Sequence, residues 1–231
     1  LCYVTEEKEL GRPDLILLPG SKNTTEDMMY LRDSGLEAAI LAATAEGTPL
    51  IGICGGYQML GEEIRDPHHT ESSHDGVKGM GLLGMVTTFG AEKLTSQVEA
   101  DCRDWPFLGA KISATGLKGY EIHMGETAFT GAADCHPLTI TQRAGEACAV
   151  TEGTGRSDGL IFGTYIHGIF DHDAFRRQIL NALRQKKGLS PLDSTRSVAA
   201  EKQRSYDKLA EVVRRSLDME KIRAIMGLAA K

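Results

Sequence analysis

Leu50-Ile51-Gly52-Ile53-Cys54-Gly55-Gly56-Tyr57-Gln58 decides how this chain is read. Four largely apolar residues, released from the stop signal Gly47-Thr48-Pro49, run straight into a cysteine and two glycines. Tyr57-Gln58-Met59-Leu60 then begins a helix. A short apolar run bounded by breakers is a strand buried on both faces, and strand, tight turn, helix is the grammar of a parallel sheet. Small residues beside Cys54 let the backbone turn sharply, so the thiol is presented at the carboxyl end of its strand. A helix starting at that point offers unpaired N–H groups and a positive dipole end, which favour a thiolate and any oxyanion formed nearby. A free cysteine is also often just a small core residue, so this turn alone leaves both readings open.

The same grammar extends in both directions. Leu15 to Leu18 is another short apolar run, closed by Pro19-Gly20 and expected to be a strand buried on both faces. Thr24 to Ala45 has helical spacing of Met28, Leu31, Leu36, Ile40 and Leu41, with a break near Ser34-Gly35. Glu62 to Lys78 is polar and reads as a surface loop, and Leu82 to about Val150, rich in short alternations, as strands and hairpins. Leu160 to Ile166 returns to a core strand, followed by a helix from Asp173 to about Lys187 with Asp171 as its cap. Val198 to Leu228 alternates charge with Leu209, Val212, Val213, Leu217 and Ile222, the pattern of one or two amphipathic helices. The expected fold is α/β, with an open, mostly parallel sheet flanked by helices. Residues 1–190 form the main domain, and 191–231 a helical extension packed on it.

Composition narrows the function. With 41% hydrophobic, 25% charged and 6% aromatic residues, the chain is an ordinary globular protein. A formal charge of -6 and no long Lys/Arg block argue against a nucleic-acid partner. No apolar run approaches the roughly 20 residues that cross a bilayer, so no membrane partner is expected. Five scattered cysteines without a C-x-x-C pair fit a reducing cytoplasm, and no basic stretch or long apolar run follows Leu1, so no signal peptide is expected in this sequence.

A thiol nucleophile needs a proton carrier. Of the seven histidines only His167, in Tyr165-Ile166-His167-Gly168, directly follows a core strand. Ligands bind where parallel strands end, so Cys54 and His167 can meet there despite their separation in sequence. His68, His69 and His74 share one polar loop, but without a Cys or spaced carboxylates a solvated loop outweighs a metal site, and no metal is expected. His123 belongs either to the active edge or to the core, and His136 and His172 read as surface positions.

Gly52-x-Cys54-x-Gly56-x-Gln58 resembles the nucleophile motif of triad-type (class I) glutamine amidotransferases. Leu17-Leu18-Pro19-Gly20-Ser21-Lys22-Asn23-Thr24, Gly119-Tyr120-Glu121-Ile122-His123-Met124-Gly125 and Tyr165-Ile166-His167-Gly168-Ile169-Phe170 together resemble the cobyric acid synthase family, over nearly the whole chain. The resemblance implies that Cys54 forms a thioester with glutamine while His167 carries protons. It further implies an oxyanion hole from the N–H groups of Gly55 and the Gly20-Ser21 loop, with Gln58 holding the substrate. Ammonia would pass to a synthetase domain, on the same polypeptide or another chain, that uses ATP and magnesium to amidate carboxylates of a corrinoid in cobalamin biosynthesis. This chain has no Gly-x-x-x-x-Gly-Lys-Ser/Thr phosphate loop, so those cofactors are expected outside it. It also has Ile169 where typical class I enzymes carry Glu two residues after the histidine. Glu121 and Glu126 are the candidate replacements for that orienting acid. The alternatives are a sister glutaminase, serving cobyrinate a,c-diamide synthesis or cell-wall precursor amidation, and a non-catalytic domain of the same fold.

Overall fold

The computed structural model describes residues 1–131, 135–193 and 196–228. The chain divides into two compact units, Leu1–Asp193 and Ser194–Lys231. The first unit opens with a one-turn helix α1 (Glu7–Leu10), strand β1 (Ile16–Leu18) and the helices α2 (Thr24–Asp33) and α3 (Leu36–Ala45). The break between these helices falls at Ser34-Gly35, where Gly35 takes φ 79°. Strand β2 (Leu50–Ile53) then leads through Cys54 into the short helix α4 (Gly55–Met59).

Two short strands, β3 (Glu63–Arg65) and β4 (Gly76–Lys78), precede a long hairpin of β5 (Met85–Phe107) and β6 (Ala110–Phe129). After these come β7 (Leu138–Arg143), β8 (Glu146–Glu152), β9 (Thr154–Gly155), β10 (Ile161–Thr164) and β11 (Ile166–His167). A 3-10 turn, Ile169–Asp171, leads into α5 (Asp173–Lys186). The parallel sheet expected from the apolar runs has the order β1-β2-β10-β9, with β9 alone antiparallel. Beside it lies a seven-stranded, mostly antiparallel sheet with β11-β6-β5-β3-β4 as its main path and β7 and β8 branching from β5. Aromatic side chains seal one core: Trp105 lies 4.6 Å from Phe162 and 4.9 Å from Phe107, ring centre to ring centre.

Several expectations need correction. β1 is buried on one face only, because it is an edge strand and Leu17 is 41% exposed. The 62–78 segment is more than a loop: β3 pairs with both β4 and β5, and the buried Asp66 carboxylate gathers the N–H groups of Thr70, Glu71 and Ser72 at 2.6–2.9 Å. The helix after the His167 strand is capped by His172, whose Nδ1 accepts from the Phe175 N–H, while Asp171 ends the preceding 3-10 turn. His136 is half-buried, with Nδ1 2.7 Å from the Gly153 carbonyl.

The second unit holds α6 (Val198–Ser216) and α7 (Met219–Ile225). Neither helix has a buried residue, so Leu209, Val212 and Leu217 are exposed. Ser194, Thr195 and residues 229–231 of the expected extension lie outside the described residues. No helix among the described residues is long and apolar enough to cross a membrane.

Close backbone packing shapes the turn at Cys54. A Cβ on Gly56 would lie 2.2 Å from the Leu18 carbonyl oxygen, and one on Gly52 would lie 2.6 Å from that of Gly56. Gly56→Ala must push α4 away from β1, and we expect it to cost about 1–3 kcal/mol of stability in a urea unfolding curve. An unchanged midpoint would show that these segments are not in such close contact.

Candidate active site

Cys54 sits at φ 52°, ψ -111°, a left-handed conformation that few non-glycine residues adopt and that costs roughly 1–3 kcal/mol. Backbone hydrogen bonds hold it there: the Cys54 N–H donates to the Thr164 carbonyl at 2.8 Å, and the Gly56 N–H to that of Pro19 at 3.0 Å. The thiol is buried and donates to the Ile122 carbonyl at 3.4 Å. Burial pushes its pKa up to about 11, outweighing the Gly55 N–H that pulls it down. The expected preference of the helix start for a thiolate therefore does not prevail; α4 has only five residues, too few for a strong dipole.

His167 lies inside β11, antiparallel to β6 and directly opposite Tyr120, and not in a loop beyond the parallel sheet. The chain leaves β10 at Thr164, bends at Tyr165 and joins the second sheet. Gly20 is the meeting point. A Cβ added there would lie 2.9 Å from His167 Cε1, 3.8 Å from His167 Nε2 and 3.5 Å from Cys54 Cβ. Cys54 and His167 thus flank the same glycine, and a side chain at position 20 would stand between them.

Neither candidate orienting acid reaches the histidine. Glu121 is buried and takes two hydrogen bonds from Arg143, at 3.0 and 3.3 Å. Its pKa is raised by burial, against the pull of that guanidinium. Glu126 is exposed, opposite Thr88 in the hairpin. Among the described residues no carboxylate is bonded to His167. Its ring instead stacks on Tyr120, 4.9 Å centre to centre and 5° from parallel. Burial lowers its pKa, and Nε2 is buried without a hydrogen-bond partner.

A cavity of about 630 Å³ joins Gly20, Ser21, Cys54, Gln58 and His167. The Ser21 hydroxyl is occupied, bonded to Asp27, but its N–H finds no partner among the described residues and faces Gly55: a Cβ on Gly55 would be 2.8 Å from Ser21 N. Gln58 is locked in place. Its carbonyl accepts from Thr24 Oγ1 at 3.2 Å, and its amide donates to the Met124 carbonyl at 3.1 Å and to the Tyr165 hydroxyl at 3.3 Å. His123 lines the cavity and stacks on Tyr165 at 3.9 Å, with its pKa pushed down to about 4 by burial.

The cavity wall carries Lys22, Glu71 and Lys93, none of which the sequence had singled out as a site residue. Glu71 arrives on the loop wound around Asp66, half-buried and 3.4 Å from the N–H and hydroxyl of Thr24, its pKa raised by burial. Lys93 arrives on β5 after a bulge, opposite Met124. Alternation is broken at that bulge, so the sequence alone does not show that Lys93 faces the cavity. The loop histidines His68, His69 and His74 are exposed, and the described residues contain no cluster of three His, Cys, Asp or Glu that could hold a metal ion.

Comparison with known proteins places this geometry first in a class. A structure titled as a glutamine amidotransferase superposes with TM-score 0.50 at 17% identity, covering 78% of this chain and 84% of its own. The PurLQS structure from Thermotoga maritima gives 0.52 at 17%, covering 74% and 80%. The fold is thus that of the glutamine amidotransferases. The model of the CobB/CobQ-like glutamine amidotransferase domain matches residues 1–175, and the chain belongs to that family. It is 45% identical to cobyric acid synthase of Moorella thermoacetica, over 99% of this chain and 44% of the relative. It is 48% identical to cobyric acid synthase of Klebsiella pneumoniae, over 97% and 43%. The chain spans less than half the length of these relatives.

Alkylation of Cys54 by iodoacetamide tests whether burial or the helix start controls the thiol. With burial in control the rate should still climb about tenfold per unit between about pH 8 and pH 10. A plateau already reached by neutral pH would mean that the helix start controls the thiol.

Proposed function

We propose that this chain is the glutaminase part of a cobyric acid synthase, acting through Cys54 and His167. The observation that carries the reading is the convergence of the strained cysteine and the partnerless imidazole nitrogen on Gly20, at one end of a polar cavity. Cys54 Sγ attacks the side-chain amide carbon of glutamine as its proton passes to His167. The oxyanion so formed is received by the N–H groups of Gly55 and Ser21. Collapse of the tetrahedral intermediate expels ammonia, which takes its proton back from the imidazolium and leaves a thioester on Cys54. Water, deprotonated by His167, then hydrolyses the thioester to glutamate.

The cavity suits an amino acid. Glu71 offers a carboxylate to the α-ammonium of glutamine and Lys93 an ammonium to its α-carboxylate, and Gln58 and His123 shape the polar wall between them. Ammonia then serves an ATP-dependent amidation of corrinoid carboxylates in the cytoplasm. The residues of this chain do not fit ATP and magnesium, since there is no phosphate loop in the sequence. Activation of the acceptor is therefore assigned to the synthetase part, on the same polypeptide or another chain. The acceptor assignment is supported by relatives of 45% and 48% identity named cobyric acid synthase.

Glutamine hydrolysis should be measured on the chain alone and together with the ATP-binding part and a corrinoid. Ammonia release is expected in at least one setting, reduced about a thousandfold or more by Cys54→Ala and by His167→Ala. Glu71→Gln should raise KM for glutamine roughly tenfold with a smaller change in kcat. Turnover that survives Cys54→Ala would remove the nucleophile assignment, and no turnover in any setting would leave a non-catalytic domain.

A further inference from the structure

At two places the backbone steps from a strand of one sheet to a strand of the other through a single residue, and one buried carboxylate joins them. At the first, β8 of the antiparallel sheet ends at Glu152, the chain turns through Gly153 at φ 69°, and β9 of the parallel sheet begins at Thr154. At the second, β10 of the parallel sheet ends at Thr164, the chain bends at Tyr165, and β11 of the antiparallel sheet begins at Ile166. The two Glu152 oxygens cross this gap. One accepts the Thr164 hydroxyl at 2.6 Å and the other the Tyr165 N–H at 2.6 Å.

Thr164 passes the restraint on in two directions. Its hydroxyl oxygen accepts the Ile166 N–H at 3.0 Å, fixing the residue before His167. Its carbonyl accepts the Cys54 N–H at 2.8 Å, fixing the strained turn. Glu152 lies outside the cavity, so it is not placed to touch glutamine. It is nevertheless only two hydrogen bonds from Ile166 and one residue's length of backbone from the bond that holds Cys54.

We propose that Glu152 is a positioning residue for the glutaminase pair, its carboxylate clamping Thr164 and Tyr165 so that the Cys54 turn and His167 share one frame. The inference rests on the proposed roles of Cys54 and His167. A carboxylate suits this position because both contacts are donors: the Tyr165 N–H can only donate, and the Thr164 hydroxyl, whose oxygen already accepts from Ile166, turns its single proton to Glu152. An amide at position 152 would present an N–H₂ group to one of these two donors. Burial is a standing cost of this arrangement and, with the charge of Glu121 adding to it, raises the carboxyl pKa to about 7, although hydrogen bonds from Thr164, Tyr165 and Gly153 pull it down. A residue needed only to fill space at that point would not call for an ionisable group.

The test compares Glu152→Gln, Thr164→Val and the double variant, in whichever setting the wild-type chain hydrolyses glutamine. Small misplacements of reacting groups can lower rates by up to about a hundredfold. Each single variant should therefore lose about ten- to a hundredfold in kcat, with KM for glutamine within about twofold of wild type. The double variant should be no worse than the poorer single one, since both break the same chain of bonds. Inactivation by a glutamine-like diazoketone should slow in parallel at saturating reagent, reporting the pair without turnover. A folded Glu152→Gln protein with wild-type kcat, or one altered only in KM, overturns the proposal. If Glu152→Gln does not fold, Thr164→Val decides: a wild-type kcat in that variant also overturns it. Loss of activity in Cys54→Ala and His167→Ala, with none in Glu152→Gln, leaves the glutaminase reading standing and removes this one alone. Cys54→Ala turnover at the wild-type rate removes both.

Discussion

The hydrogen bond from the Cys54 N–H to the Thr164 carbonyl is the constraint on which the rest of this structure depends. It joins the end of β2 to the end of β10, at the point where the parallel sheet stops supplying regular partners. Beyond it the two strands diverge: one turns into a helix through a left-handed cysteine, and the other bends into a different sheet. A strained residue persists only where its surroundings over-determine it. Here the backbone of Pro19 holds the turn from one side and Thr164 from the other, and glycines at 52 and 56 leave no side chain to force them apart.

Burial sets the charge state of the pair that results. Burial pushes the thiol up to about 11 and lowers the imidazole, and both shifts favour the uncharged form of each group. An uncharged pair avoids the cost of burying two ions before a substrate arrives. It also leaves the imidazole free to take the thiol's proton as the carbon–sulfur bond forms. In the triad arrangement an acid would fix the ring and stabilise the imidazolium. Here Tyr120 can do the first by stacking, because cross-strand pairing places it opposite His167. It supplies no charge for the second, and the candidate acid Glu121 is already held by Arg143.

Much of the fold was legible because its signals are local. Short apolar runs ending in Gly or Pro gave the strands around Cys54, and the Ser34-Gly35 break split the helices at the right place. The convergence of Cys54 and His167 was inferable from the rule that ligands gather at strand ends, although His167 reaches that edge through the second sheet. What failed was non-local. Glu121 and Glu126 lie in or just beyond the Gly119–Gly125 motif, but alternation along β6 and the claim of Arg143 on Glu121 settle where their carboxylates go. The burial of Leu17 depended on which strand lies at the edge of the sheet. Glu71 depended on a loop wound around a buried Asp66, whose polar neighbourhood reads as surface. Glu152 gave no motif at all; its importance lies in two hydrogen bonds, to Thr164 and Tyr165, across segments that a sequence does not show to be adjacent.

The electrostatics of the cavity also give a reason for keeping the thiol protonated until it is needed. The charge of Glu71 raises the Cys54 pKa further, while Lys93 acts the other way. Glu71 itself is raised by burial and is therefore an under-compensated anion. In the proposed reading the α-ammonium of glutamine lies against Glu71, which cancels the charge that opposes a thiolate. The α-carboxylate then takes up Lys93, and much of its help is lost too. The net effect on the thiol depends on which of the two charges is closer and drier, and Glu71 is half-buried whereas Lys93 is exposed. Screening by water weakens the exposed charge more. Binding of the zwitterion should thus lower the barrier to deprotonating Cys54, so that the nucleophile becomes easier to form when an amide is present for it to attack.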